Sequence, residues 1–337
     1  MTAFFLIAAF AVLLLLPFAI VGYASRRAFG SRYENYCEGY LYKPGEYPEL
    51  NLTEWDVPGN MGQNIHICVY SHKYTTEEKG LIFWSSGIGG DHSAYLPILS
   101  ELAEKGYFVA AYDPTGTGKS GGNCVRGLPQ NLIDGKTALK SVRRIEALHD
   151  MPLYLMGHSN GAYAALALLG ECTDVCASAV FAPFNKTTDM VLAHCHSFSH
   201  GFSRLISPYI RLYYRVLFGK EAEISAADSM RNANIPILLV HGREDDVVPF
   251  AESEHLMGSA VNIRSQLLSL RHRKHAAMYL PEVWEQLEPL KLKIRAGNHS
   301  DEIRQESIRY YEIAKNVDRE LLEQIDRFFS SSTRQQT

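Results

Sequence analysis

Seven short apolar runs, Ile65–Tyr70, Leu81–Ser85, Tyr107–Tyr112, Leu153–Met156, Ser178–Phe181, Ile237–Val240 and Leu292–Arg295, alternate with segments whose apolar residues recur at helical spacing. Those helical segments are Tyr95–Glu104, Asn131–Leu148, Ala162–Leu169 and Val317–Phe329. Runs so short and so uniformly apolar are the pattern of strands buried on both faces, and their alternation with helices predicts a mostly parallel sheet covered on both sides. In such a sheet ligands bind beyond the carboxyl ends of the strands, so chemistry is sought in the loops that follow them. At 337 residues, 46% hydrophobic and 21% charged, the chain has ample core for this architecture. Its net charge of -4 and lack of long basic runs give no footprint for nucleic acid.

From Ala3 to Val21 every residue is apolar or proline, enough as a helix to cover the roughly 30 Å hydrocarbon layer at about 1.5 Å per residue. The charges Arg26, Arg27 and Arg32 follow this run, the reverse of a cleaved signal peptide. We therefore expect a single-pass transmembrane anchor over residues 1–25, with the remainder in the cytoplasm by the positive-inside rule. Residues 26–58 read as a linker, and residues 59–337 as the catalytic domain. Within it, about 184–234 is an insertion whose Leu205, Ile206, Tyr209, Tyr213, Val216 and Leu217 can share a helix face opposite Arg204, Arg211 and Arg215, the pattern of a cap or lid. The stretch 261–290, with "RHRKH", carries no assignment.

The six cysteines are scattered without a Cys-x-x-Cys pair, and His194-Cys195-His196 has no second ligand pair at zinc spacing, so no metal or cofactor is expected. Gly118-Lys119-Ser120 repeats the end of a phosphate-binding signature, but Asp113 stands where its first glycine belongs. No nucleotide is expected either.

After "PLYLM" and before the helical "AYAALALL" comes Gly157-His158-Ser159-Asn160-Gly161, a Gly-x-Ser-x-Gly turn that would project the Ser159 hydroxyl above the sheet. A serine needs a base, and the base an orienting acid. "HGREDDVVP" offers Asp245 as the preferred acid, with Asp246 second, and "GNHSD", after the run Leu292–Arg295, offers His299 as the base. The oxyanion donors would be the N–H of Asn160 and that of Ile88 in the glycine-rich "SSGIGGDHSAY".

Taken in order, "SSGIGG", "DPTGTGKSGG", "GHSNG", "HGREDDVVP" and "GNH" resemble the α/β-hydrolase superfamily, in particular its serine aminopeptidase and monoacylglycerol lipase-like branch, over about Ile65 to Phe329. The resemblance implies the α/β-hydrolase fold with a helical cap, and a loop in which Asp113 and Ser120 brace turns beside the active site. Ser86 departs from it, standing where relatives usually have histidine, and the stretch between Asp245 and His299 is unusually long. The expected activity is hydrolysis of carboxylic esters, acylglycerol- or lysophospholipid-like, at a membrane. A serine aminopeptidase is the alternative, for which Glu221, Glu223 and Asp228 could bind a free amine. An acyltransferase, or a non-catalytic binding module on the same fold, is the other.

Overall fold

The computed structural model describes residues 1–33, 44–196, 200–259, 264–296 and 301–333. Its strands are β1 (Leu50–Pro58), β2 (Asn64–His72), β3 (Gly80–Ser85), β4 (Tyr107–Tyr112), β5 (Leu153–His158), β6 (Val175–Phe181), β7 (Ile237–Gly242) and β8 (Ser265–Leu270). They form one 8-stranded sheet in the order β1-β2-β4-β3-β5-β6-β7-β8. Only β2 runs against its neighbours, β1 and β4; every other pairing is parallel. The helices are α1 (Thr2–Phe29), α2 (Leu96–Glu104), α3 (Leu128–Val142), α4 (Glu146–His149), α5 (Asn160–Leu168), α6 (Thr187–His196), α7 (His200–Phe218), α8 (Ala226–Ala233), α9 (Ala251–Ser259), α10 (Pro281–Ala296), α11 (Asp301–Ala314) and α12 (Arg319–Thr333).

Alternate residues along each central strand feed two cores. Ile65, Ile67, Phe83 and Leu155 pack with α3, α5 and α8, while Trp84, Tyr154 and Met156 pack with α2, α10 and α12. On the second face Phe329 of α12 stacks on Tyr154 with ring centroids 4.4 Å apart and meets Tyr107 edge-on.

Two strands depart from the sequence expectation. Leu290, Leu292 and Ile294 alternate like a strand, yet they belong to α10, where Val283, Leu287, Leu290 and Ile294 form the buried stripe and Leu292 is 62% exposed. A period of two and a period of 3.6 coincide over so few residues, and helical packing wins. The last strand is instead β8, half-buried at the sheet edge, within the unassigned 261–290 stretch. At the other edge, Leu50–Pro58 of the stretch read as linker pairs with β2 along its whole length.

The insertion between β6 and β7 is helical, comprising α6, α7 and α8. On α7 the buried stripe is Ile206, Ile210, Tyr214 and Phe218, whereas Leu205 and Val216, expected on that face, are exposed. The stripe receives the carboxyl-terminal part of α1: Val21 is buried in the same cluster, Phe18 meets Tyr213 edge-on at 5.5 Å, and Gly22 lies under the Tyr213 ring. Beyond α1, the Tyr33 N–H donates to Gly116 O at 3.0 Å, and the Arg32 guanidinium donates to the carbonyls of Ser120, Gly122 and Gly118. Arg32 is thus a tether, leaving Arg26 and Arg27 as the exposed cations after the apolar run. Among the described residues no helix is long and apolar enough to cross a membrane.

Phe329→Ala would leave a void over Tyr154 in the second core, and should lower the unfolding free energy by about 3–5 kcal/mol, read from urea denaturation.

Candidate active site

Ser159 sits between β5 and α5 with φ 57 and ψ -120, a left-handed conformation that is costly for any residue with a side chain. The turn closes so tightly that a Cβ on Gly161 would lie 1.9 Å from the Ser85 carbonyl oxygen, and one on Gly157 would lie 2.5 Å from the Gly161 carbonyl oxygen. Only glycine fits at either position, which is the physical reason for both glycines of the motif. The Ser159 N–H donates to Phe181 O at 2.8 Å, fixing the turn to the end of β6.

The loop after β3 meets the turn from the other side. Asn131 donates its amide to Ser86 O at 2.8 Å, and the Ser86 hydroxyl donates to Asp91 O at 3.3 Å. Asp113 accepts from the His92 N–H, from His92 Nδ1 and from the Lys119 N–H, while Ser120 donates to Asp113 O and accepts from the His66 N–H. The loop carrying Asp113 and Ser120 is therefore a brace whose polar groups are engaged within the protein.

Asp245 follows β7. Its Oδ1 accepts from the N–H groups of Val247 and Val248 at 2.9 Å each, and its Oδ2 lies 3.1 Å from His241 Nε2. The remaining partner is His275, whose Nδ1 lies 2.8 Å from Oδ2 and 3.1 Å from Oδ1. Burial raises the Asp245 carboxyl, but the hydrogen bonds with His241 and His275 outweigh it and hold the group well below the usual carboxylate range. Asp246 lies beside it and is exposed.

His275 comes from the loop after β8 and is a histidine beside Asp245 that the sequence reading did not single out. Its signal was "RHRKH" after "SQLLSL", masked because the later run Leu292–Arg295 imitates a strand. His299 lies outside the described residues, as do the side chains of His194, Cys195 and His196.

A chain of hydrogen bonds ties these loops together. The Gly87 N–H donates to the Tyr95 hydroxyl at 3.2 Å, which lies 2.9 Å from His158 Nδ1, and His158 Nε2 lies 3.1 Å from the His275 carbonyl oxygen. Only the neutral imidazole with its proton on Nε2 satisfies both neighbours, accepting from Tyr95 and donating to the carbonyl. Burial and the neighbouring His275 imidazole agree with that state, holding His158 well below its ordinary value. The His158 and His275 rings lie 4.6 Å apart between centroids, which brings His275 to the residue preceding Ser159.

Ser159, Asn160 and Ile88 line one cavity of about 460 Å³. Its walls are almost wholly apolar: Met190 and Val191 of α6, Ile206 and Ile210 of α7, Val247 and Val248 beside the acid, and Ile20, Val21, Ala24 and Ala28 of α1. The amino-terminal helix is thus a wall of the candidate site. No acidic side chain lines this cavity among the described residues. Glu221, Glu223 and Asp228 are paired with Lys136, Arg215 and Arg231.

Comparison with known proteins agrees with this fold. The family model described as serine aminopeptidase, S33, matches residues 76–225, which includes the elbow and stops before Asp245 and His275. The uncharacterised protein YfhR of Salmonella typhi is 29% identical over 175 residues, 52% of this chain and 57% of that protein. Lysophosphatidylserine lipase ABHD12 of Danio rerio is 25% identical over 183 residues, 52% of this chain and 45% of the lipase. The chain thus spans about half the length of the curated relatives it matches. Among solved structures, the Pyrococcus furiosus esterase Pf2001 superposes with a TM-score of 0.55 at 18% identity, covering 76% of this chain and 93% of the esterase. Est1E from Butyrivibrio proteoclasticus, solved with ferulic acid bound, gives 0.53 at 18%, over 72% of this chain and all of Est1E. At that identity the likeness is one of fold.

Because His158 is held neutral in the fold, its contribution to stability is complete above the unfolded histidine value of about 6.5 and is lost as pH falls, when the unfolded chain takes up a proton the native state refuses. The stability advantage of the wild type over His158→Gln should therefore shrink by up to about 1.4 kcal/mol per pH unit between roughly pH 6.5 and 5, read from urea midpoints at each pH.

Proposed function

Because the chain belongs to the α/β-hydrolase superfamily, in the branch of serine aminopeptidases and monoacylglycerol lipase-like enzymes, we propose that it is a serine hydrolase cleaving carboxylic esters of long apolar acyl chains, acylglycerol- or lysophospholipid-like. The observation that carries this reading is that Ser159, Asn160 and Ile88 open together into one apolar cavity, walled also by Val247 and Val248, whose N–H groups hold Asp245.

In this reading His275, oriented through Nδ1 by Asp245, takes the Ser159 proton on Nε2 as the hydroxyl oxygen attacks the acyl carbonyl. The N–H groups of Ile88 and Asn160 receive the negative charge that develops on the carbonyl oxygen; Asn160 is the first residue of α5, where the N–H has no intrahelical acceptor. His275 then protonates the departing alcohol, and water, deprotonated by the same imidazole, releases the acid and restores Ser159. The Gly87–Tyr95–His158–His275 chain keeps the oxyanion loop and the base in register with the nucleophile.

A lipid substrate is favoured over a peptide amine because, among the described residues, the cavity offers no carboxylate to hold an ammonium group. A bilayer is the natural source of such a substrate. We read the apolar run Ala3–Val21 as its attachment to that bilayer, with the catalytic domain on the side of Arg26 and Arg27 and facing the cytoplasm. Leu15, Leu16, Ile20 and Tyr23 of α1, and Leu205, Leu212 and Val216 of α7, expose apolar surface on two adjoining helices, which supports contact with lipid. Labelling of cysteines introduced at exposed domain positions, in intact cells without permeabilisation, would overturn the sidedness.

Full-length enzyme in detergent should hydrolyse nitrophenyl acyl esters with rates that rise with chain length. Ser159→Ala and His275→Ala should each lower kcat/KM by about 10⁴–10⁶-fold, with His299→Ala within a few-fold of wild type; a reversal of the two histidines would displace His275 as the base. If wild type turned over no ester, the reading as an ester hydrolase would fall.

The α1 wall gives a separate expectation. Ala24→Phe should fill part of the cavity and shift the preferred acyl chain toward shorter esters, with activity on the shortest ester kept, read from kcat/KM across the series.

A further inference from the structure

At the β1 edge of the sheet, away from the serine, a second constellation is assembled by strand register. Asp56 stands opposite His66 and Glu54 opposite Cys68 in the antiparallel β1–β2 pair, so the four side chains share one face of the two strands. The Glu54 carboxylate, a His66 ring nitrogen and Cys68 Sγ all lie within 4.8 Å of one another, and His66 Nε2 is 3.8 Å from Glu54 Oε2. A fourth group reaches in from the loop after β3: His92, whose ring centroid is 5.7 Å from that of His66 and whose imidazole interacts with the Cys68 thiol.

Both imidazoles are already held as metal-ligating histidines are. His66 Nδ1 lies 2.7 Å from Asp56 Oδ1, and His92 Nδ1 lies 2.7 Å from Asp113 Oδ1. A carboxylate on one ring nitrogen fixes the tautomer, orients the ring and leaves the other nitrogen basic. In His66 that other nitrogen, Nε2, is buried and has no hydrogen-bond partner, although the residue is only 6% exposed. Leaving such an atom unpaired is costly in a folded protein, and it faces the sulfur and the carboxylate. Cys68 is a free, fully buried thiol whose sulfur lies in the same cluster as the His66 ring and the Glu54 carboxylate.

We propose that His66 Nε2, His92 Nε2, the Cys68 thiolate and a Glu54 carboxylate oxygen form a tetrahedral site for a soft divalent cation, zinc foremost. Two imidazoles, a thiolate and a carboxylate are a zinc donor set, and around zinc such atoms stand about 3.5 Å apart, so Glu54, His66 and Cys68, already within 4.8 Å of one another, would close by side-chain rotation and His92 would turn in to join them. Glu54 is now paired with Lys119 Nζ at 2.9 Å; that lysine is half exposed and can turn to solvent when the cation takes its place. The bound cation would cross-link β1 and β2 to the loop that carries Ile88, because His92 lies in that loop and is anchored on Asp113. It would therefore stiffen the oxyanion side of the serine site without touching substrate.

Cobalt provides the test, since a thiolate ligand gives Co²⁺ an intense near-ultraviolet charge-transfer band that oxygen and nitrogen ligands do not. Full-length protein in detergent, stripped with chelator and titrated with CoCl₂, should develop this band with one equivalent, and added ZnCl₂ should bleach it. Cys68→Ser should abolish the band. Asp56→Asn, a change on an exposed edge strand that touches no ligand atom directly, should weaken cobalt affinity by about 10–100-fold with the circular dichroism spectrum unchanged, which keeps the proposal testable even if Cys68→Ser fails to fold. Absence of the band in wild type, its survival in Cys68→Ser, or cobalt affinity unaltered by Asp56→Asn would each overturn the site.

Discussion

The contact on which the rest of the molecule depends is the approach of Gly161 to the carbonyl of Ser85, so close that a single methyl group would sit 1.9 Å from the oxygen. That approach presses the start of α5 against the end of β3. It holds Ser159 in a left-handed conformation and sets the first N–H of α5 beside the loop that carries Ile88. The strain at Ser159 is sustained because the turn is bonded to β6 behind it and packed on an entirely buried helix ahead of it. Nucleophile and candidate oxyanion donors are therefore products of one packing decision, made where two parallel strands end side by side.

The candidate acid and base arrive by a different route. Asp245 and His275 stand on loops after β7 and β8, adjacent strands that place their carboxyl ends together, and the carboxylate is held by two backbone N–H groups before either imidazole reaches it. His158 then joins the two halves, since its ring spans from the Tyr95 hydroxyl to the His275 carbonyl. A residue adjacent to Ser159 thus acts as the spacer between the loop that carries Ile88 and His275. Its neutrality matters there, because an imidazolium would present a donor on Nδ1 as well and reverse the bond from Tyr95.

How much of this was legible in the sequence depended on whether the information was local. "GHSNG" between an apolar run and an alanine-rich helix, and "HGREDDVVP" after "IPILLV", carry their geometry with them, and Ser159 and Asp245 stand where those motifs put them. The histidine beside Asp245 was harder to find, because it required knowing which run forms β8. "LKLKI" alternates as convincingly as any strand in the chain, while "SQLLSL" is polar at every third or fourth place because β8 is a half-buried edge. β1 was hidden for the same reason: Leu50 and Leu52 pack on one core, Trp55 and Val57 on the other, so the strand lacks a clean alternation. Without β1 there is no register to bring Glu54 to Cys68, and the histidine–cysteine cluster cannot be read. The role of α1 was equally invisible, since an apolar run has the same composition whether lipid or a cap helix covers it.

The docking of α1 on α7 also has a consequence for biosynthesis. Residues 20–29 leave the ribosome roughly 180 residues before the cap helix against which they pack, a separation that makes this one of the longest-range contacts in the chain. During that interval the face that will become the cavity wall has no protein partner. Whatever shields it, a bilayer or a chaperone, must release that face as α7 emerges, so the cavity beside Ser159 is closed late in synthesis by a helix made well before its partner.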